Sequence, residues 1–484
     1  MTLVKQIGEK YNNLPVQLKA SLWFLISSVL QKGISVITTP IFTRLLSSAE
    51  YGEFNVFISW QGILTAVIIF TLPWGVFEQG LVKYSDRKDE FTSSLLGLMT
   101  ALSLGGIIVY LALKQKFNYL LSLNTLEMLS MFSLMWSSSV FSFWAMKERV
   151  DFKYRKLVIL TLVVTVVKPI TGIIVVLIFK DKVTARIVSL AIVELVFFIY
   201  LFVSMMYKGK VFYSRKIWGY ALKFNIPLIP HYLSQRLLSN ADRIMIKKMV
   251  NPGAAGIYSL AYSLALIMQL VNVAVRDTIS PWTYKKIKSG QVEDIPNIAY
   301  PTMGVVAVFN LLLIAFAPEI VKIFAPPEYY DAIWIIPPVT MSVYYMFLYV
   351  FFADFELYFE KTRIMSLATV VGAIMNIVLN YVFIKAAGYY AAGYTTLACY
   401  MIYAVLHYYL MQRICKKYFP GRKIYDAKII TAISLTFMIL GFGIMFAYSF
   451  ILIRYLIILF IIIIVIVCRN KIVAIAHQLR ENNK

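Results

Sequence analysis

Apolar runs of about twenty residues recur along the whole chain, separated by short polar connections. A helix needs roughly that length to cross a ~30 Å hydrocarbon layer. Only helices or closed barrels satisfy their backbone hydrogen bonds there, and barrel strands alternate over about ten residues, which these runs do not. The pattern predicts an all-α polytopic membrane protein of about 14 transmembrane helices. The spans are expected near 18–43, 55–82, 91–113, 126–146, 157–179, 187–207, 217–246, 254–284, 296–325, 332–357, 364–385, 389–412, 427–448 and 450–468. No connection is long enough for a soluble domain of ~50 residues, so function has to reside among the helices.

Composition agrees: 60% of the 484 residues are hydrophobic and 15% are charged. The net charge of +23 could suggest a nucleic-acid binder, but its placement argues otherwise. With a cytoplasmic N-terminus, the inner connections hold Lys83, Arg87 and Lys88, then Lys147 to Lys156, Lys208 to Lys216, Lys285 to Lys288, Lys361 with Arg363, and Arg413 to Lys428. Roughly 31 of 47 basic residues then lie inside and about 10 outside, the bias that orients membrane proteins. One missed span would invert every later connection, so both termini are expected in the cytoplasm. The clusters orient the protein and are assigned no substrate role.

Nothing at the N-terminus reads as a cleavable leader. Cys399, Cys415 and Cys468 sit in or beside apolar runs and suggest no disulfide framework. His231, His407 and His477 are too scattered for a metal cluster. Gly75 to Gly80 has P-loop spacing, but Leu81 and Val82 stand where Lys and Ser or Thr are needed. No cofactor is expected.

A shift of 204 residues lays the first span on the seventh. Gln31–Lys32 meets Gln235–Arg236, Ser35 meets Ser239, Arg44 meets Lys248, Gly52 meets Gly256 and Ser59 meets Ser263. An even number of spans separates the copies, so the repeat is parallel, about an axis along the membrane normal. It predicts two pseudo-symmetric six-helix lobes, 1–210 and 211–415, with two extra helices and a tail over 416–484.

Charge inside a membrane costs at least ~2.5–3.5 kcal/mol and marks function by default. Lys32 and Arg236, at equivalent positions of the repeat, would offer one cation from each lobe to a shared cavity. Two such cations suit a bulky anion such as a pyrophosphate. Arg276 and Lys168 are further candidates; Glu194, Asp242, Asp277, Asp354 and Glu356 are candidate charge partners or ion-coupling groups. The competing expectation is plain ion pairing, of Lys168 with Glu194 and of Arg276 with Asp354 or Glu356. Pro169, Pro227, Pro230 and Pro281 are expected to interrupt spans 5, 7 and 8.

The segment Pro40–Gly52 (PIFTRLLSSAEYG) with Phe54 resembles the first-loop signature of polysaccharide-export flippases, the O-antigen and capsule branch of the multidrug/oligosaccharidyl-lipid/polysaccharide exporter superfamily. Asn240–Ile244 (NADRI), Ala255–Tyr262 (AGIYSLAY) and Gly388–Thr396 (GYYAAGYTT) resemble its later signatures. The resemblance implies a transporter in the bacterial cytoplasmic membrane, not an enzyme. It also implies that an undecaprenyl-pyrophosphate oligosaccharide moves by alternating access from inner to outer leaflet, with Lys32, Arg236, Arg276 and Lys168 binding the pyrophosphate by position. Coupling to H+ or Na+, and association with a polysaccharide polymerase and glycosyltransferases, belong to the same expectation. The alternatives are a cation- or proton-coupled multidrug antiporter of the superfamily and a peptidoglycan lipid-precursor flippase.

Overall fold

The computed structural model describes residues 14–481, with the side chains of 362–364, 468 and 470–481 left out. The extreme termini, Arg363, Cys468 and His477, which enter the expectations above, therefore lie outside the described residues. Helices dominate, and no strand occurs among the described residues.

In chain order the helices of the first half are α1 (Val16–Leu45), α2 (Ser48–Ile68), α3 (Val76–Lys83), α4 (Lys88–Ala112), α5 (Lys114–Leu121), α6 (Thr125–Val150), α7 (Tyr154–Ile178), α8 (Lys182–Gly209) and α9 (Arg215–Asn225). The second half continues with α10 (Ile229–Met249), α11 (Pro252–Ala265), α12 (Met268–Lys288), α13 (Ile295–Ala315), α14 (Ala317–Phe324), α15 (Ile336–Tyr358), α16 (Thr362–Ala387), α17 (Ala391–Tyr418), α18 (Ala427–Phe446) and α19 (Ile451–Glu481). Local chemistry sets several starts. Ser47 with Glu50, and Asn124 with Glu127, form reciprocal capping boxes that satisfy the first free N–H groups of α2 and α6.

Nine helical stretches among the described residues are long and apolar enough to cross a membrane. The other expected spans are also helical, but more polar, broken or shorter. In α6 and α17 the polar residues face neighbours: Ser130, Ser137, Ser139, Thr395, Thr396 and Tyr403 are all buried. Small and hydroxyl side chains suit such helix–helix contacts, and they lower the hydropathy of a span.

The prolines divide. Pro227 lies in a short 3-10 turn (Ile226–Leu228) that separates α9 from α10, whereas Pro169 and Pro281 lie inside continuous helices. A proline removes one donor, which a long membrane helix absorbs. A further break lies just before Pro73, which the expectations above did not include: after α2, Phe70 and Thr71 take left-handed conformations (φ 54° and 52°). Asn225 Nδ2 closes this bend by donating to the Phe70 carbonyl at 2.9 Å.

The helices form two compact units, one ending at Arg236 and one starting at Leu237, so the division falls inside α10. α9 belongs to the first unit: Trp218 Nε1 donates to the Ser94 carbonyl at 2.8 Å. Phe77, Phe91 and Phe143 anchor that unit's core, with Phe143 edge-on to Phe77 at 4.6 Å. Gly80 is required there because a Cβ would overlap the Phe91 ring; Gly97 likewise admits the Phe212 carbonyl. At one end Asp151 joins Lys88 (3.0 Å) and Lys153 (3.1 Å). Partial burial pushes the Asp151 carboxyl up, and these two hydrogen bonds outweigh it and hold the group below the usual carboxylate range.

In the second unit α15 is the central helix, buried along most of its length and packed against α17. The two helices beyond the six-plus-six plan belong to this unit. Arg454 of α19 pairs with Glu319, Tyr455 also donates to Glu319 (3.0 Å), and Tyr448 donates to the Ile314 carbonyl at 2.6 Å.

Candidate functional site

In the first unit, α1 carries a polar stripe. Ser21, Ser28, Lys32, Ser35 and Thr39 recur at intervals of three, four or seven residues, so they share one helix face. The first four are exposed and Thr39 is half-buried, while Ala20 and Phe42 are buried. Lys32 therefore stands halfway along a spanning helix, exposed, with no ion pair among the described residues. Arg236 is exposed at the equivalent place on α10, on a face shared with Tyr232, Ser239 and Arg243.

The family-like segment after Lys32 is structural. Arg186 of α8 lies between the rings of Phe42 and Phe54, 3.6 Å from each centroid, and Lys182 Nζ donates to the Leu45 carbonyl at 2.9 Å. These contacts bind the α1–α2 turn to α8 and fix the register of the polar stripe. Stacked guanidinium groups of this kind are worth about 0.5–2 kcal/mol each.

The remaining candidates separate into pairs. Lys168 of α7 is joined to Glu194 of α8, the pairing the sequence offered as the competing expectation. Arg276 pairs with its neighbour Asp277, at 3.3 Å with both exposed, and among the described residues forms no ion pair with Asp354 or Glu356. Asp354 instead accepts from Tyr284 Oη at 3.4 Å, and Glu356 lies 2.8 Å from His407 Nδ1. Arg276 thus remains an exposed cation, and the two buried acids of α15 have found uncharged or imidazole partners.

The most elaborate polar arrangement surrounds Asp242. Its carboxylate accepts from Tyr258 Oη (2.6 Å), Asn380 Nδ2 (2.5 Å) and Thr396 Oγ1 (3.0 Å). Asn380 also contacts Asn376 (3.3 Å) and accepts from Thr395 Oγ1. Asp242, Tyr258, Asn376, Asn380 and Thr396 are at most 1% exposed, and no Lys or Arg forms an ion pair with Asp242 among the described residues. The nearest guanidinium in sequence, Arg243, lies over the Tyr262 ring at 4.5 Å. The second, third and fourth family-like segments all supply this centre: Asp242 from the second, Tyr258 from the third, and Thr395 with Thr396 from the fourth. Asn376 and Asn380 escaped the sequence reading, although two amides four residues apart in an apolar span share one helix face and are a usable signal. No group of three or more His, Cys, Asp or Glu suited to a metal ion occurs among the described residues.

Comparison with known proteins places this architecture. The polysaccharide biosynthesis protein family matches residues 17–285, more than half of the chain. A protein of the Lsg locus of Haemophilus influenzae is 27% identical over 218 residues, 41% of this chain and 51% of that protein. The chain thus spans about half the length of the curated relative it matches. Among solved structures, the lipid II flippase MurJ in an inward closed conformation aligns with TM-score 0.71 at 16% identity, over 93% of this chain and all of that one. An inward-facing multidrug resistance MATE transporter of the MOP superfamily aligns at 0.61 with 12% identity, over 81% and 96%. At those identities the likeness is one of fold. The family match shows that this chain belongs to the polysaccharide biosynthesis protein family, and its helices take the fold of the MurJ and MATE structures, that of a multi-pass membrane protein.

Proposed function

We propose that the protein is a flippase that carries an undecaprenyl-pyrophosphate oligosaccharide from the inner to the outer leaflet of a bacterial cytoplasmic membrane, for surface polysaccharide assembly. The observation that carries this reading is Lys32: an exposed cation without an ion pair among the described residues, in the middle of a spanning helix, on a hydroxyl-lined face, in a chain of this family. Such a face suits a phosphate-bearing headgroup, because the ammonium supplies charge and the hydroxyls supply hydrogen bonds. Arg236 and Arg276 add exposed guanidinium groups; Lys168, held by Glu194, takes a secondary part. The membrane potential supports that direction: a headgroup of charge about −2 leaving an inside-negative compartment gains about 4.6 kcal/mol at ~100 mV.

Of the five candidate carboxylates, Asp242 is the one we assign to a coupling ion, H+ or Na+. It is sealed, ringed by hydroxyl and amide groups, and forms no ion pair among the described residues. The positive-inside pattern supports an orientation with both termini cytoplasmic. A second reading, transport of a peptidoglycan lipid precursor, is favoured by the fold likeness to MurJ and differs only in the sugar carried. Deleting the gene decides between them. Accumulation of lipid-linked repeat units of a surface polysaccharide on the inner leaflet supports the first reading. Accumulation of peptidoglycan precursor, or of neither, rejects it.

A further inference from the structure

The connection from α17 to α18 carries six basic residues, Arg413, Lys416, Lys417, Arg422, Lys423 and Lys428, against one acid, Asp426. Orienting the protein requires that charge but no particular placement of it. The placement is nevertheless specific. Helices α15, α17 and α18 enclose an apolar groove of about 200 Å³ that runs up to this connection. Leu348 and Phe352 of α15, both buried, form its back. Val405 and Tyr408 of α17 face Thr431 and Leu435 of α18 across it. Val405, Thr431 and Leu435 are exposed on spanning helices, so the groove opens towards the hydrocarbon of the membrane.

Helical periodicity carries both walls of the groove on to a lysine. On α18, Lys428 precedes Thr431 by three residues and Leu435 by seven; on α17, Lys416 follows Val405 by eleven. Spacings of three, seven and eleven return to one face of a helix. Lys416 and Lys428 are exposed and form no ion pair among the described residues. Between them, Lys423 lies within electrostatic reach of the Tyr408 hydroxyl and pairs with Asp426 at 3.2 Å. The connection is also held in place. Arg422 donates to the Gly290 carbonyl at 2.6 Å, the Asp426 N–H donates to Tyr300 Oη at 2.6 Å, and Tyr408 Oη donates to the Tyr425 carbonyl at 3.3 Å. Three lysines thus converge on the mouth of one apolar slot.

That combination selects its occupant. The slot is smaller than the ~300–1,000 Å³ usual for small-molecule sites, so it takes a few methylenes of one chain rather than a drug-sized molecule or a long folded polyprenyl tail. The mouth calls for a negative headgroup, and basic pockets between membrane helices bind such headgroups. Phosphatidylethanolamine brings an ammonium group that the lysines repel. We propose that α15, α17 and α18 form a site for an anionic phospholipid of the phosphatidylglycerol class, with one acyl chain in the groove and the phosphodiester on Lys416, Lys423 and Lys428. The exposed Thr431 hydroxyl, one turn deeper than Lys428, donates to the ester or phosphate oxygens. The lipid is a brace and not a cargo: it ties α18 to α15 and α17. The site holds whatever the protein carries; only the leaflet it faces rests on the orientation given above.

The test uses the full chain in phosphatidylethanolamine–phosphatidylcholine vesicles doped with one photoactivatable lipid. The probe carries a diazirine on an acyl chain and either a phosphatidylglycerol or a phosphatidylethanolamine head, and labelled peptides are mapped by mass spectrometry. In wild type the phosphatidylglycerol probe should label the groove, at Val405, Thr431 or Leu435, about fivefold more than the other probe. Replacing all three lysines (Lys416→Gln, Lys423→Gln and Lys428→Gln) should remove that preference and leave labelling by the phosphatidylethanolamine probe unchanged, which shows that the groove still forms. If the triple variant does not accumulate, Lys428→Gln alone carries the same test with a smaller loss. Thr431→Trp, which plugs the groove from its exposed edge, should abolish labelling there by both probes. Equal wild-type labelling by the two heads, or no labelling of the groove, overturns the site. A preference that survives the lysine replacements overturns the headgroup contacts. Displacement of the phosphatidylglycerol probe by equimolar polyprenyl phosphate assigns the groove to a cargo tail and overturns the proposal. No transport is measured, so the outcome is independent of the flippase reading.

Discussion

The two units differ in the company their most conspicuous intramembrane charges keep. In the first, cations lie on helix faces, as Lys32 does among serines and threonines, or are tied directly to an acid, as Lys168 is to Glu194. In the second, the acids Asp242, Asp354 and Glu356 are buried and held by hydroxyl, amide or imidazole groups. An exposed cation contributes little to stability and is free to meet a ligand. A sealed acid is costly unless every neighbour is arranged around it, so it is bound up with folding and conformational state. The first unit thus offers an exposed cation on a polar face, and the second encloses acids among hydrogen-bond partners.

That contrast can be broken by experiment. The largest effect is expected for Lys32→Ala combined with Arg236→Ala: export of the surface polysaccharide should be lost while protein level and thermal unfolding stay near wild type. Surface substitutions of this kind change stability by no more than about 0.5 kcal/mol. Export that survives the double replacement removes the headgroup assignment, and protein that fails to accumulate removes the contrast itself.

Asp242→Ala should do the reverse, destabilising the purified protein. It strands the Tyr258 and Thr396 hydroxyls and the Asn380 amide, at about 1–3 kcal/mol per buried unsatisfied group. Asp242→Asn, which keeps the shape and some of the bonds, should lose distinctly less in the same melting experiment. Equal, small losses in both would show that the centre is not held by these hydrogen bonds.

The smallest effect sharpens the comparison within the first unit. Glu194→Ala should cost about 3 kcal/mol, the low end for breaking a buried pair, because the Lys168 side chain retains 28% exposure. Lys168→Met with Glu194→Leu should restore most of it. If the double variant exports normally, Lys168 serves packing rather than the headgroup.

Particular residues show how far the chain could be read in advance. The match of Lys32 to Arg236 came from a shift of 204 residues, and the Lys168–Glu194 pair from similar depth on consecutive spans. Both are regularities of spacing along one chain direction. The Asp242 centre joins residues up to 154 positions apart through three bonds of different helices, and the Glu356–His407 pair joins two helices whose relative rotation no local pattern specifies. Pro169 and Pro281 lie inside continuous helices, whereas the chain breaks at Phe70 and Thr71, just before Pro73, a proline outside those the spacing singled out. Their bend depends on Asn225, contributed by a helix 155 residues later.

Apolar run length, loop charge and the internal repeat determined from the sequence alone that this is a helical membrane protein built from two related halves. Those quantities are sums over many residues and tolerate local error. Which acid meets which partner, where the spanning helices break, and that the last two helices join the second unit were decided only by tertiary packing. In a bilayer each buried polar atom must find its partner across a helix interface, and the rotation and depth of each helix are set by all its neighbours at once.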